Sequence, residues 1–148
     1  MIGSSDRRTD AYLDFSSEPN ISKLNTTYRL LAVDPKEAIR QLSFLADIGS
    51  IASMIYIGHF YSSSPINKDV DQAEKWFRRA ADAGSPAAYY SLGRLYLASK
   101  RFNDAKNAFE FAAARDFTPA IHFLGRMYIG GRGVEPNPEL AQKLLEPV

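Results

Sequence analysis

Two helices joined by a tight turn are encoded by residues 69–97, which read DVDQAEKWFRRAADAGSPAAYYSLGRLYL. Asp69 is a good helix N-cap, and Gln72 three residues later completes the pattern of a capping box. Apolar residues then recur at helical spacing and predict one buried face: Ala73, Trp76, Phe77, Ala80 and Ala81. Because tryptophan is the largest of these side chains, we expect Trp76 to be the main anchor of the core.

Gly84 ends this first helix, because glycine readily adopts the left-handed conformation that a helix C-terminus often needs. Ser85 and Pro86 follow as an N-cap and a proline at the first helical position. The second helix has an apolar spine of Ala88, Leu92, Gly93 and Tyr96. A helical hairpin of this length cannot bury both its faces alone, so it needs similar neighbours stacked against it.

The same pattern recurs along the chain. A Leu-Gly-x-x-Tyr motif is complete at residues 92–96 and 124–128, and isoleucine replaces the leucine at 57–61. A degenerate copy at 24–28 has Asn25 in place of the glycine. The glycine positions 25, 58, 93 and 125 are separated by 33, 35 and 32 residues, which is the period of a helix-turn-helix solenoid. Small residues at these positions would let two helices approach closely.

The second helix of each repeat has its own start signals. Asp34, Asp69 and Asn137 each stand four residues before an alanine early in that helix, and all three are good N-caps. Proline follows Asp34 and Asn137, which is typical of the first helical position. The third repeat departs from this pattern, because Arg101 occupies its cap position.

Helix ends also recur at a fixed place. Gly49, Gly84 and Asp116 each stand nine residues before the motif glycine. Aspartate is poorer than glycine in the left-handed region but is tolerated there. We therefore expect helix ends at all three positions, with Thr118 as the N-cap of the helix that follows Asp116.

We predict an all-α right-handed solenoid of about four two-helix repeats, at residues 18–49, 50–84, 85–116 and 117–148. Residues 1–17 are rich in Ser, Asp and Arg and lack helical periodicity, which predicts a flexible leader. Three apolar side chains in this segment could pack onto the exposed end of the array: Tyr12, Leu13 and Phe15.

Composition excludes several classes of protein. The 148 residues are 45% hydrophobic, with 18 Lys and Arg against 17 Asp and Glu, so the net charge of +1 gives no electrostatic case for nucleic acid. Zero cysteines exclude disulfides and thiolate chemistry. No apolar run has the length of a signal peptide core or a membrane span. The compartment stays unknown: cytoplasmic, or periplasmic if a signal was removed.

No catalytic constellation is visible. His59 and His122 are the only histidines and belong to different repeats, and no paired-acid arrangement or metal motif is present. Residues 130–133 read GGRG and resemble a phosphate cradle, but they follow a predicted helix, whereas a P-loop follows a strand. We therefore predict a protein that is not an enzyme and has no metal or cofactor.

The motifs at residues 73–84 and 120–141 resemble those of the Sel-one-like repeat (SLR) family, a relative of the tetratricopeptide repeats. The best match runs from Ala120 through Leu124-Gly125 and Tyr128 to the glycine loop that ends at Val134. The resemblance covers roughly residues 18–148. It implies a protein-interaction scaffold or adaptor, often bacterial, that assembles signalling or cell-envelope complexes.

The resemblance also implies where a partner binds. In tetratricopeptide-like solenoids the first helix of each pair faces the concave side, and its non-core positions lie three before, one after and four after the motif glycine. Those positions predict a binding groove lined by Ile55, His59, Tyr90, Arg94, Leu97, His122, Arg126 and Ile129. We hypothesise that this groove binds an acidic extended segment, with Arg94 and Arg126 as charge-assisted donors. The alternative is that they are ordinary solvated side chains.

The predicted function is therefore recognition of a protein or peptide partner by a non-catalytic scaffold. An inhibitor or immunity-type protein that caps a toxin or enzyme is an alternative of a different class. Self-association through exposed solenoid ends is a further possibility, because such ends are apolar unless capped. An enzyme would need a deep closed pocket around His122 and Arg126. The last repeat stops short of its Ala-Ala-x-x-Gly signature, so the chain can also be a fragment of a longer repeat protein.

Overall fold

The computed structural model describes residues 13–130 and 133–146. Within those two ranges all regular structure is helical. The helices are α1 (Ile21–Leu30), α2 (Pro35–Asp47), α3 (Ile51–Ser63), α4 (Val70–Asp82), α5 (Pro86–Ala98), α6 (Phe102–Ala113), α7 (Thr118–Gly130) and α8 (Pro138–Leu145). Helices pack in sequential pairs, α1 with α2, α3 with α4, α5 with α6 and α7 with α8, so each predicted repeat contains one helical hairpin.

Side-chain caps start the helices where the sequence predicts them. The carboxylate of Asp34 accepts a hydrogen bond of 3.1 Å from the backbone N–H three residues later, and the carboxylate of Asp69 accepts an equivalent bond of 3.1 Å. Asn137 accepts one at 3.0 Å and Ser85 one at 3.2 Å. Arg101 makes no side-chain cap bond, as expected for an arginine at this position. These caps replace hydrogen bonds that the first turn of a helix cannot make internally.

Left-handed residues end the helices at the predicted places. Gly49 has φ +102°, Gly84 has φ +94° and Asp116 has φ +59°. The prediction for Thr118 is wrong by one residue, because α7 already begins at Thr118. The carbonyl of Phe117 accepts the first backbone bonds of this helix, so Thr118 lies in the first turn and not at the cap.

The first compact unit ends at Ala83 and contains α1–α4. Its core is a cluster of buried side chains from α1, α2 and α3: Leu24, Leu42, Leu45, Ala52, Tyr56 and Ile57. Leu13 and Phe15 pack against this cluster, as the sequence suggested for them, whereas Tyr12 lies outside the described residues. The segment before α1 therefore contributes side chains to the core of this unit.

Phe77, and not Trp76, is the main aromatic anchor of α4. Phe77 is 1% exposed, whereas Trp76 is half-buried at the margin of the core cluster. The Arg79 guanidinium lies 5.2 Å from the centre of the Trp76 ring, and Arg79 Nη2 lies 2.9 Å from Asp47 Oδ1. Consecutive helical residues point about 100° apart, so only one of the two rings can point directly at α3. The prediction for Trp76 is therefore wrong.

The second compact unit begins at Gly84 and contains α5–α8. A Cβ at Gly93 would lie 2.6 Å from Cε1 of Phe109, and one at Gly125 would lie 2.8 Å from Cδ2 of Leu145. Real Cβ atoms do not approach other heavy atoms so closely, so these glycines permit the contact of α5 with α6 and of α7 with α8. The close approach predicted from the motif glycines is confirmed.

Candidate binding surface on the first helices

Most of the predicted binding residues lie in the second unit, on α5 and α7. On each helix they occupy positions i, i+4 and i+7, which share one face. The α5 set is Tyr90, Arg94 and Leu97, and the α7 set is His122, Arg126 and Ile129. Both arginines, His122 and Ile129 are exposed, whereas Tyr90 and Leu97 are half-buried.

A single ring, that of Phe123, joins the two sets. The Arg94 guanidinium carbon lies 5.8 Å from the centre of the Phe123 ring, and that of Arg126 lies 5.4 Å from the same centre. Tyr90 packs edge-on against Phe123 at 5.6 Å, and Arg94 lies 5.8 Å from the centre of the Tyr90 ring. Both guanidiniums are therefore held over one small aromatic platform, which we call the Phe123 platform.

The aromatic platform is anchored in the core of the second unit. Phe123 stacks on Phe109 with ring centres 5.4 Å apart, and Phe109 is fully buried beneath Gly93. Tyr90 also contacts the rings of Phe109 and Phe117 at 6.0 and 5.5 Å. Because the half-buried Phe123 ring packs on the fully buried Phe109, the platform presents the two arginines at a defined place on the surface.

Arg94 and Arg126 have no acidic partner among the described residues of the second unit. Within residues 84–130 and 133–146, the guanidiniums of Arg94 and Arg126 form no hydrogen bond and no ion pair. Helices α5 and α7 contain no aspartate or glutamate at all. The face formed by these two helices therefore carries uncompensated positive charge.

The first helices of all four hairpins lack carboxylates, as α5 and α7 do. Their charged residues are Lys23, Arg29, Arg94 and Arg126. Every carboxylate that lies within a described helix belongs to a second helix: Glu37, Asp47, Asp71, Glu74, Asp82, Asp104, Glu110 and Glu139. A net charge near zero for the whole chain conceals this separation.

The two predicted residues of the first unit are less available. Ile55 is 1% exposed, because α3 is apolar around its circumference and buries all of residues 52–58. The prediction that Ile55 lines a surface is therefore wrong. His59 is half-buried, with its ring edge-on to Phe77 at 5.0 Å.

Phe123 was missed by the sequence reasoning. It stands between His122 and the motif residue Leu124, and the three-position rule for first helices passes over it. The available signal was its spacing, because Phe123 and Arg126 are three residues apart and therefore neighbours on a helix surface.

A shallow cavity of about 420 Å³ lies elsewhere in the second unit. It is bounded by Lys106 of α6, Tyr128 of α7, Leu140 of α8 and residues of the loop before α8, including Val134 and Glu135. Neither His122 nor Arg126 lines it. Gly131 and Arg132 of the predicted glycine loop lie outside the described residues.

Residues 13–130 and 133–146 contain neither a metal-binding cluster nor a membrane-spanning helix. No three His, Asp or Glu side chains come together there as a group that could hold a metal ion. No helix in this part of the chain combines the length and the hydropathy that crossing a membrane requires.

The glycine-centred repeats described above match a known repeat family. The Sel1 repeat family model matches residues 51–85, 86–113 and 118–147. The chain belongs to the Sel1 repeat family. The matches cover the hairpins α3–α4, α5–α6 and α7–α8, and they leave out α1–α2, where Asn25 replaces the motif glycine. The resemblance stated from the sequence is therefore confirmed.

Solved structures with Sel1 repeats share the fold. One is c5321, a protective antigen present in uropathogenic Escherichia coli strains that displays an SLR fold, with a TM-score of 0.74, 23% identity and 86% of this chain covered. Another is a Sel1 repeat protein from Oxalobacter formigenes, with a TM-score of 0.71, 24% identity and 94% covered. The chain spans 29% and 58% of the length of these two proteins. No curated protein matches the sequence significantly.

The family and its structures define the fold class and the general role. The predicted all-α solenoid class is confirmed by the helical hairpins and by the SLR fold of the structural relatives. Sel1 repeats generally mediate protein–protein interaction, and the family is typically non-catalytic. The alternative of an inhibitor or immunity-type protein has no support from these relatives.

Proposed function

We propose that this protein is a non-catalytic interaction module that binds an acidic, extended segment of a partner protein across α5 and α7. The observation that carries the proposal is the position of Arg94 and Arg126. Both guanidiniums lie within 6 Å of the centre of the Phe123 ring, and neither is neutralised by a carboxylate of the second unit.

The chemistry of arginine favours a carboxylate ligand at this place. A guanidinium is planar and presents its N–H groups as a fork that fits a carboxylate in a bidentate way. Stacking on an aromatic ring uses the face of the guanidinium and leaves its N–H edges available to donate. The Phe123 platform thereby reduces the side-chain entropy that Arg94 and Arg126 would otherwise lose on binding.

Arginines on the second helices of the first unit behave differently. Arg40 pairs with Glu37 on α2, Arg78 pairs with Glu74 on α4, and Arg79 pairs with Asp47. Such exposed pairs partly neutralise the charge of the helices that carry them. The arginines of α5 and α7 lack this neutralisation, which supports an external anionic partner over ordinary solvation.

A direct test uses labelled peptides and fluorescence anisotropy. One peptide alternates glutamate with serine, and its control has glutamine in place of glutamate. We expect the glutamate peptide to bind and the glutamine peptide to bind at least about tenfold more weakly, because charge-assisted hydrogen bonds are the stronger kind. Binding should weaken as salt is raised, since exposed charges are screened.

The variant for this test is Arg94→Glu with Arg126→Glu. Both side chains are exposed, so the helices should form normally, and this is checked by circular dichroism. The matched control is Arg115→Glu with Lys143→Glu, which changes the net charge equally but lies outside α5 and α7. The proposal requires loss of binding in the first variant only. Unchanged binding of the glutamate peptide, or of a native partner in a pull-down, by the Arg94 and Arg126 variant would refute it.

A further inference from the structure

We propose that the segment bound by α5 and α7 presents a bulky apolar side chain beside its carboxylates, and that this side chain packs on Leu97 and Ile129. The inference rests on the proposed function and adds the second half of the recognition chemistry. It begins from the order of residues on the two helices, which is the same on each.

Each of the two helices carries an arginine followed three residues later by an aliphatic residue on the same face. On α5 these are Arg94 and Leu97, and on α7 they are Arg126 and Ile129. Helix α6 packs against both α5 and α7 and is joined to each by a short turn. Two successive reversals make α5 and α7 run in the same direction.

Because the two helices run in the same direction, equivalent residues follow the same order along both, and we treat them as two rows. The first row consists of the two arginines over the Phe123 platform, and the second row consists of Leu97 and Ile129 nearer the C-termini of the helices. Three residues of α-helix rise by about 4.5 Å, so the rows are close enough for one short segment to contact both.

Exposure of Ile129 is the second observation, since Leu97 is half-buried. Ile129 is 62% exposed, although it belongs to a regular helix and is next to a charged face. Binding of a segment that is both apolar and acidic would remove the Ile129 side chain from water while it neutralises the neighbouring arginine. An entirely acidic segment would leave Ile129 exposed to water.

The spacing of the two rows suggests a sequence pattern for the ligand. In an extended segment, side chains two residues apart lie on the same side and about 6.5 to 7 Å apart. A segment that crosses the two helices obliquely can place the carboxylate of residue i on the arginine row and the apolar side chain of residue i+2 on the aliphatic row. The expected pattern is an acidic residue, any residue, and then leucine or a similarly large apolar residue.

The test compares two labelled peptides that differ only in the apolar position. One contains two Glu-Gly-Leu units separated by serine, and the other has serine in place of each leucine. We expect the leucine peptide to bind the native protein about fivefold or more tightly than the serine peptide, because part of a leucine side chain is buried. The measurement is fluorescence anisotropy at equal ionic strength.

Ile129→Ser should bring the affinity ratio of the leucine peptide to the serine peptide close to one, because the added leucine then has no exposed aliphatic side chain of α7 to pack on. The control is Ile66→Ser, which removes an isoleucine that is 91% exposed in the turn between α3 and α4 and should change neither affinity. Equal affinity of the native protein for both peptides would overturn this inference and leave the proposed function standing. If neither peptide bound more tightly than the same peptide with glutamine in place of glutamate, the proposed function would be overturned instead.

Discussion

The ring of Phe77 occupies the space in which a side chain at Gly58 would begin. A Cβ at Gly58 would lie 2.5 Å from Cε1 of Phe77. Gly93 stands in the same relation to Phe109, so two successive hairpins each place an aromatic ring of the second helix against the motif glycine of the first. The glycine motif is therefore a packing requirement, which explains why it marks the period of the repeat.

Gly58→Ala should destabilise the protein by about 1–3 kcal/mol, the usual cost of overpacking a core. Alanine gains helix propensity of about 1 kcal/mol relative to glycine, which offsets part of this cost. Phe77 is 1% exposed, so its ring has no free space into which it can retreat. Urea denaturation measures the change. Combining Gly58→Ala with Phe77→Leu should destabilise less than the sum of the two single changes. A single Gly58→Ala variant as stable as the native protein would contradict the packing argument.

Phe77→Ala should cost more stability than Trp76→Ala, although tryptophan is the larger residue. Removing a fully buried phenylalanine costs about 3–5 kcal/mol through lost burial and a cavity. Trp76 is only half-buried, so less of its surface leaves water on folding. Thermal unfolding of the two variants under identical conditions gives the order. If Trp76→Ala proved the more destabilising, the assignment of Phe77 as the main anchor of α4 would be wrong.

Local signals predicted the helix boundaries well, because caps and left-handed residues act within a few positions of the chain. Asp69 and Gly84 illustrate this, since neither needs information from distant residues to start or end a helix. The choice between Trp76 and Phe77 was not predictable in that way. Both belong to one apolar stripe, and only the position of Gly58 on the facing helix decides which ring is buried.

The exposure of the candidate binding residues was predictable in part for the same reason. The repeat rule identified Arg94 and Arg126 as non-core positions, and both side chains are exposed. It included Ile55, which is buried because α3 is apolar all round, a property that a rule based on spacing does not see. It missed Phe123, whose ring lies near guanidiniums of two different helices, a contact that spacing along one helix does not reveal.

Glu18→Ala should destabilise the first unit by about 1–2 kcal/mol. The Glu18 carboxylate accepts a hydrogen bond from the backbone N–H of Ala52 at 2.8 Å and another from Ser50 Oγ. It therefore satisfies a donor in the first turn of α3 and complements the positive end of the helix. Chemical denaturation gives the size of the effect. Asp14→Ala is the matched control, because within residues 13–130 Asp14 accepts hydrogen bonds from nearby Ser16 alone, and it should change stability by less than about 0.5 kcal/mol.

The stability contributed by Glu37 should depend on pH in the acid range. Hydrogen bonds from Arg40 and then Gln41 lower the pKa of Glu37 to about 2, from an ordinary value of about 4.3. The folded state thus favours the charged carboxylate, so its contribution is complete above the ordinary pKa and is lost as pH falls through about 2. Thermal unfolding should show Glu37→Gln less stable than the native protein near pH 6, with the difference shrinking toward pH 2. In an Arg40→Ala background the same substitution should show a smaller pH dependence. A difference that stays constant between pH 6 and pH 2 would contradict this assignment.

Phe123→Leu should weaken binding of the glutamate peptide by about three- to tenfold while keeping both arginines. The substitution keeps an apolar side chain but removes the ring that lies 5.8 Å from the Arg94 guanidinium and 5.4 Å from that of Arg126. Each cation–π contact at an exposed site contributes about 0.5–1 kcal/mol to holding its guanidinium. Anisotropy is measured at a temperature where circular dichroism shows the variant folded, because Phe123 also stacks on Phe109. Phe123→Tyr retains a ring and should restore binding. If the leucine variant bound as tightly as the native protein, then the arginines would act without the aromatic platform, and its role in orienting them would be refuted.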